Sequence, residues 1–300
     1  MILEKTHIED YLQLCQFKQL SESTLRAYQL DLYEFLNYAQ GQELTKNTVQ
    51  AYLGQMNNRF KPRTIKRKIA SISALLSYFV EEEYLQSNYI HSIKRKYRTP
   101  KELPKLLDSD VISKLLTHAY HKYENCESGS SRIRYARNIA LLELMVCTGM
   151  RVFEVCELPV RNIDFNNKLI LVEGKGNKQR YLPLQVKVCI EALLQYYQLN
   201  QAEIDRSGYF FPNKTSHFDT SSVRRMIKKY LKEIHLDHIK VTPHMFRHSF
   251  ASALVAENVS IVAIKEILGH SDINTTMIYT HISNKQIHDI MKEHNLRLKL

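Results

Sequence analysis

Between His91 and Lys105 an otherwise helical chain breaks. Pro100 and Pro104 lie close together there, and Lys94, Arg95, Lys96, Arg98, Lys101 and Lys105 make the stretch strongly basic. A proline removes one helical hydrogen bond and pushes the residue before it out of the helical region. Unpaired cations keep such a segment in water. The reading is a basic linker, 93–105, between a first domain, 1–92, and a second, 106–300. A chain of 300 residues is long enough for two moderate domains. A basic tether suits two domains that embrace a polyanion from opposite sides, although a purely solubilising tether has the same composition.

The first domain reads as helices throughout. Leu25, Tyr28, Leu32, Phe35 and Leu36 recur at three to four residues, the spacing of one helical face. Ser21 or Ser23 is placed to cap that helix, and Thr45 or Asn47 the next. Pro62 suits the first turn of a helix carrying the ladder Ile65, Ile69, Ile72, Leu76 and Phe79. Around its start, from Arg59 to Lys68, lie Arg59, Lys61, Arg63, Lys66, Arg67 and Lys68 with no acidic residue among them. A helix start of this kind meets DNA phosphates well, although a simply solvated helix start has the same composition.

The second domain begins with a helix capped by Asp108 or Ser109. A polar loop is expected over 121–131, then an apolar helix from Arg134 that Gly149 terminates, and a short helix after Met150. From Lys168 to Glu173 the period changes to that of a strand. Gly174–Arg180 reads as a turn and Tyr181–Leu184 as the returning strand. Helices follow again, including a basic one with Arg224, Arg225 and Lys228 outward and Val223, Ile227, Tyr230, Leu231 and Ile234 inward. The expected fold class is mainly α with a small antiparallel β-sheet, an N-terminal helical bundle joined to an α+β domain.

Charge narrows the function. With 42 basic and 31 acidic residues the formal net charge is +11, which favours a polyanionic partner, most simply double-stranded DNA. No apolar run approaches the length of a membrane span, and the N-terminus lacks the pattern of a signal peptide. The five cysteines are dispersed without a CxxC pair, so they read as buried small hydrophobes in a reducing, cytoplasmic setting.

Within that frame several residues suit phosphate chemistry. Arg151 opens a helix directly after Thr148, Gly149 and Met150, and a guanidinium fork matches two phosphate oxygens as lysine cannot. Glu154 follows three residues on, in reach of Arg151 or a nearby backbone group. Lys175 sits between glycines in the hairpin turn, with Lys178 and Arg180 as rivals for a cationic role; the turn is not a P-loop. Pro243 starts a helix on which His244 and Arg247 share a face, while His248 points elsewhere and reads as structural. His270 follows Gly269 at a helix end, and Tyr279 and His281 come after. The histidines lack a metal-ligand arrangement, so no metal site is expected.

Four stretches, 148–158, 172–184, 242–252 and 268–281, carry the order Arg…Lys…His-x-x-Arg…His…Tyr. In that order the chain resembles the tyrosine recombinase, or phage integrase, family, in the layout of its short Xer-like and integron-integrase-like members. Met150 stands where the family often has leucine. The resemblance implies a two-domain DNA clamp whose first domain binds core DNA and whose second is catalytic. It implies Arg151, Lys175, His244, Arg247, His270 and Tyr279 as catalytic residues, with Glu154 in support. It implies strand cutting and rejoining through a 3′-phosphotyrosyl link, without ATP, metal or other cofactor. The short stretch before the first helix implies simple core sites rather than an added arm-site-binding domain. The implied partners are DNA core sites and further copies in a tetramer, with a related recombinase or accessory protein also compatible. The last segment, with Ile287, Ile290, Met291 and Leu296 on one face, resembles a helix that docks on the neighbouring protomer; packing on its own domain is the alternative. Integration or transposition of a mobile element, DNA relaxation and a catalytically silent architectural role remain as other programmes for the same chain.

Overall fold

The computed structural model describes residues 1–92, 106–174, 179–213, 216–269, 291–292 and 297. The chain divides into two compact units, Met1–Glu102 and Leu103–Leu300, each with its own apolar core. Among the described residues no helix is long and apolar enough to cross a membrane.

The first unit contains α1 (Lys5–Phe17), α2 (Glu22–Ala39), α3 (Lys46–Arg59), α4 (Pro62–Glu81) and the single turn α5 (Tyr89–Ser92). Ser21 is the cap that forms at α2, accepting from the backbone N–H of Thr24 at 3.4 Å, and Thr45 caps α3 through the N–H of Thr48 at 3.2 Å. Pro62 is the first residue of α4, where its missing donor costs nothing. Leu32 and Phe35 of α2 meet Ile65, Ile72, Leu76 and Phe79 of α4 in a core closed to solvent. Each such side chain contributes roughly 1.5–3 kcal/mol on leaving water.

The basic start of α4 is not uniform. Lys61, Arg63 and Lys66 face solvent, as does Arg59 at the end of α3. Lys68 departs from the expectation of an outward cation: it is 3% exposed, with Nζ 3.2 Å from Asp31 Oδ1 and 2.7 Å from Glu34 Oε2. Arg67 and Ser71 also bond the buried Asp31 carboxylate. The helical period explains this. Lys68 follows Ile65 by three residues and precedes Ile72 by four, so it stands on the apolar stripe and needs carboxylates there.

The second unit starts with α6 (Ser109–Glu124), capped by Asp108, and α7 (Gly129–Thr148). The polar loop expected over 121–131 is therefore short. His121 to Glu124 complete α6, where Tyr123 packs on the core and Lys122 reaches Glu233 at 3.4 Å, and α7 begins at Gly129. From Ala136 onward α7 is buried on nearly all sides, apart from Arg137, and serves as the unit's central rod.

Then come α8 (Val152–Cys156), the strands β1 (Ile163–Asp164), β2 (Leu169–Glu173) and β3 (Gln179–Pro183), and α9 (Lys187–Ser207), α10 (Thr220–Glu233), α11 (Pro243–Ala256) and α12 (Ile261–Leu268). The strands form one antiparallel sheet in the order β1-β2-β3. β3 starts two residues before the expected Tyr181, because Glu173 pairs with Gln179 and Val172 with Arg180. β1 is too short to show a period. α9 continues to Ser207 through a kink at Asn200.

Four of the five cysteines are buried, Cys126 is half-buried, and none of the five is joined in a disulfide. Of the terminal segment, Met291 is buried in the core of its own unit. Arg297 holds the fully buried Glu143 with Nε 2.9 Å from Oε2 and Nη2 3.0 Å from Oε1. The Tyr120 hydroxyl donates to the same carboxylate at 3.0 Å.

Candidate phosphate-binding site

The site grows from the C-terminus of α7. Gly149 ends that helix in the left-handed conformation, φ +60°. A Cβ there would strike the Phe250 ring and stand 3.1 Å from a Leu268 methyl. Only glycine permits both the turn and the approach of α11 and α12. The turn sends the chain into Arg151, which caps α8.

Glu154, one turn into α8, is 3% exposed at its side chain and gathers donors from two arginines. Its Oε2 accepts from the Arg151 backbone N–H at 2.9 Å and its Oε1 from Arg151 Nη1 at 2.7 Å. Arg180 adds Nη1 to Oε1 at 3.1 Å and Nη2 to Oε2 at 2.8 Å. Burial pushes the Glu154 carboxyl up, but the Arg180 and Arg151 bonds outweigh it and hold the group below the ordinary carboxylate range.

Arg247 reaches the same place from α11. Its side chain is buried, with Nη1 donating to Gly149 O at 2.9 Å and Nη2 to Leu268 O at 2.6 Å. Arg151 Nη2 donates to Gly269 O at 3.1 Å and Arg180 Nε to Ile267 O at 2.8 Å. The carbonyls at the end of α12 thus bind three guanidinium groups from α8, β3 and α11. Desolvation and then the neighbouring Arg151 push the Arg247 pKa down to about 10, with Glu154 acting in the opposite sense. Three cations against one carboxylate leave the cluster short of negative charge. Arg151 keeps 34% of its side chain exposed, so an incoming phosphate has a charged edge to meet.

His244 and Arg247 share the N-terminal turn of α11, as their spacing requires. His244 is exposed at its edge, yet desolvation, followed by the charges of His248, Arg224, Arg247 and Arg151, lowers its pKa from the usual histidine value. The lowered pKa leaves the imidazole neutral near pH 7, with a lone pair able to accept a proton, although the neighbouring cations make it a weaker base. His248 is exposed on the same face of α11 rather than turned away, since it follows His244 by one helical turn. Arg224, Arg225 and Lys228 are exposed on α10, and Arg224 is near enough to bear on His244.

The structure therefore brings Arg151, Glu154, His244 and Arg247 together. Lys175, His270, Tyr279, His281 and the linker cations Lys94, Arg95 and Lys96 lie outside the described residues. Arg180 was a rival for Lys175's role on sequence; its donors are instead spent on Glu154 and Ile267. The signal was present in the strand period. Leu182 and Leu184 face the core, so Arg180 faces it too, and an inward arginine needs a buried acid.

Residues 105–286 match the model of the phage integrase family, and residues 8–83 that of the phage integrase N-terminal SAM-like domain. A tyrosine recombinase of Agathobacter rectalis is 34% identical over 96% of this chain and 95% of its own. The tyrosine recombinase XerC of Thermodesulfovibrio yellowstonii is 32% identical over 92% and 91%. Among solved structures, XerH recombinase in a post-cleavage complex with a palindromic difH substrate superposes with a TM-score of 0.68, at 24% identity, over 88% of this chain and 78% of its own. A lambda integrase tetramer bound to a Holliday junction gives 0.63 at 17% identity, over 91% and 79%.

Proposed function

The chain belongs to the phage integrase family, and from that membership we propose that it is a site-specific DNA recombinase acting through a phosphotyrosyl intermediate. The observation that carries the reading is the cluster itself. Arg151, Arg180 and Arg247 converge on one carboxylate and on the carbonyls ending α12, with Arg151 still open to solvent. A buried excess of fixed positive charge stabilises a phosphoryl transition state without reorganising as charge develops.

In the proposed reaction the Tyr279 oxygen attacks the scissile phosphorus in line. The Tyr279 O–P bond forms, the bond to the 5′-oxygen breaks, and DNA is left with a 3′-phosphotyrosyl link and a free 5′-hydroxyl. The tyrosine proton passes to His244, and Lys175 delivers a proton to the departing 5′-oxygen. Arg151 and Arg247 bind the nonbridging oxygens, and His270 donates a further hydrogen bond to them. Attack by a 5′-hydroxyl of the partner duplex reverses the step and completes exchange. The bond energy stays in the covalent link, so the chemistry has no thermodynamic need for ATP.

Two duplexes require four active sites, and a tetramer on paired core sites is the assembly that fits. The solvent-facing cations of α4 and of α10, with Lys94, Arg95 and Lys96, are proposed to hold the DNA backbone. The five dispersed cysteines, none of them joined in a disulfide, support a reducing, cytoplasmic location.

A nicked duplex that releases its 5′ end after cleavage tests the reading. It would carry the inverted-repeat sequence that the full chain selects from a random duplex pool. The protein should form a covalent adduct that Tyr279→Phe abolishes. An adduct persisting in Y279F would overturn the nucleophile assignment. Adduct without exchange between two sites would replace recombination with strand relaxation.

A further inference from the structure

The geometry points to Arg180 as a positioning residue of the phosphate site, acting through Glu154 on Arg151; this rests on the recombinase reading above. Arg180 stands on β3 opposite Val172, on the face that also carries Ile170 and Leu182 into the core. Its side chain is 11% exposed. All three of its nitrogens are engaged by the protein: Nη1 and Nη2 with the two oxygens of Glu154, Nε with Ile267 O. Three of its five N–H groups are thus aimed at the carboxylate and the helix end. The group holds two things in register. One is the Glu154 carboxylate, whose oxygens also fix the backbone and guanidinium of Arg151. The other is the end of α12, whose next carbonyls bind Arg151 and Arg247.

Without Arg180, Glu154 would have one guanidinium partner instead of two. It would then be drawn fully onto Arg151, neutralising the cation that faces solvent. With Arg180 in place, each carboxylate oxygen is shared, and Arg151 keeps charge to offer a phosphate. Gly269 shows how close this fit is. Its φ is +63°, and a Cβ there would stand 2.9 Å from Arg180 Nη1, so the α12 terminus is shaped around the arginine. Lysine cannot replace the fork, because one ammonium cannot serve two carboxylate oxygens and a carbonyl in fixed directions.

The test compares Arg180→Met with the natural protein on the selected nicked duplex, with the scissile phosphate either normal or replaced by a methylphosphonate. The methyl group removes one negative charge, so the reaction then depends less on the cationic clamp. Cleavage of the normal phosphate should fall about 100-fold, the scale of losing one oriented donor to a transition state. On the methylphosphonate the loss should stay below about tenfold, and DNA affinity should hold within about threefold. A purely structural role would lower both rates by the same factor, and that result overturns the inference, as does a normal-phosphate rate within about threefold of the natural protein. If R180M melts below the assay temperature, the ratio is read on Arg180→Lys, which keeps the charge but not the fork and should show the same bias. Absence of any Tyr279-dependent adduct from the natural protein would instead sink the recombinase reading.

Discussion

Glu154 stabilises two guanidinium groups at once, and its burial makes that arrangement sensitive to each partner. The same environment governs His244. Desolvation and four neighbouring cationic or titratable groups, His248 first among them, disfavour its protonated form. A depressed pKa keeps the imidazole neutral below the ordinary histidine value of ~6.5. If His244 accepts the Tyr279 proton, cleavage should therefore hold its rate as pH falls through ~6.5 and decline only at lower pH. Single-turnover adduct formation across that range checks this. An acid limb centred above the ordinary histidine value would contradict it.

At the scale of elements, α4 joins two jobs in one helix. Its outward cations meet solvent, while Lys68 lies on the inward stripe between Asp31 and Glu34. Substitutions on the two faces should separate. Lys68→Met leaves a buried carboxylate with fewer partners and should destabilise the first unit by about 3 kcal/mol. Arg63→Ala combined with Lys66→Ala should leave stability within ~0.5 kcal/mol. The same pair should shorten the log–log salt dependence of DNA binding by about two counterions. Denaturant melts and binding at several salt concentrations distinguish these outcomes. Equal effects of the two sets on the salt slope would show that Lys68 reaches DNA after all.

At the scale of the molecule, the chain is two units with separate cores. The first has its own capped helices and a buried apolar and ionic interior, so residues 1–92 should fold alone. The expected result is a cooperative thermal transition by circular dichroism, with salt-sensitive DNA binding and no strand cleavage. A non-cooperative melt of that fragment would mean that its core depends on the second unit.

Much of this was legible without coordinates. The helical and strand periods and the caps at Ser21, Thr45 and Asp108 are local properties of the backbone, which neighbouring residues decide. The order from Arg151 to Arg247 was also legible as a motif. Boundaries that rest on weak local preference were less so: α6 ran four residues into the expected loop because Tyr123 and Lys122 found partners on other elements. Pairing within the site needed the fold. The local period turns Lys68 and Arg180 inward, but nothing adjacent in the chain says that Lys68 will meet Asp31, that Arg180 will meet Glu154, or that Arg247 will bind the carbonyls of Gly149 and Leu268. Those are contacts between residues distant in sequence. They arise because a buried charge costs too much free energy to stand unpaired, and only tertiary packing determines which partner lies within reach.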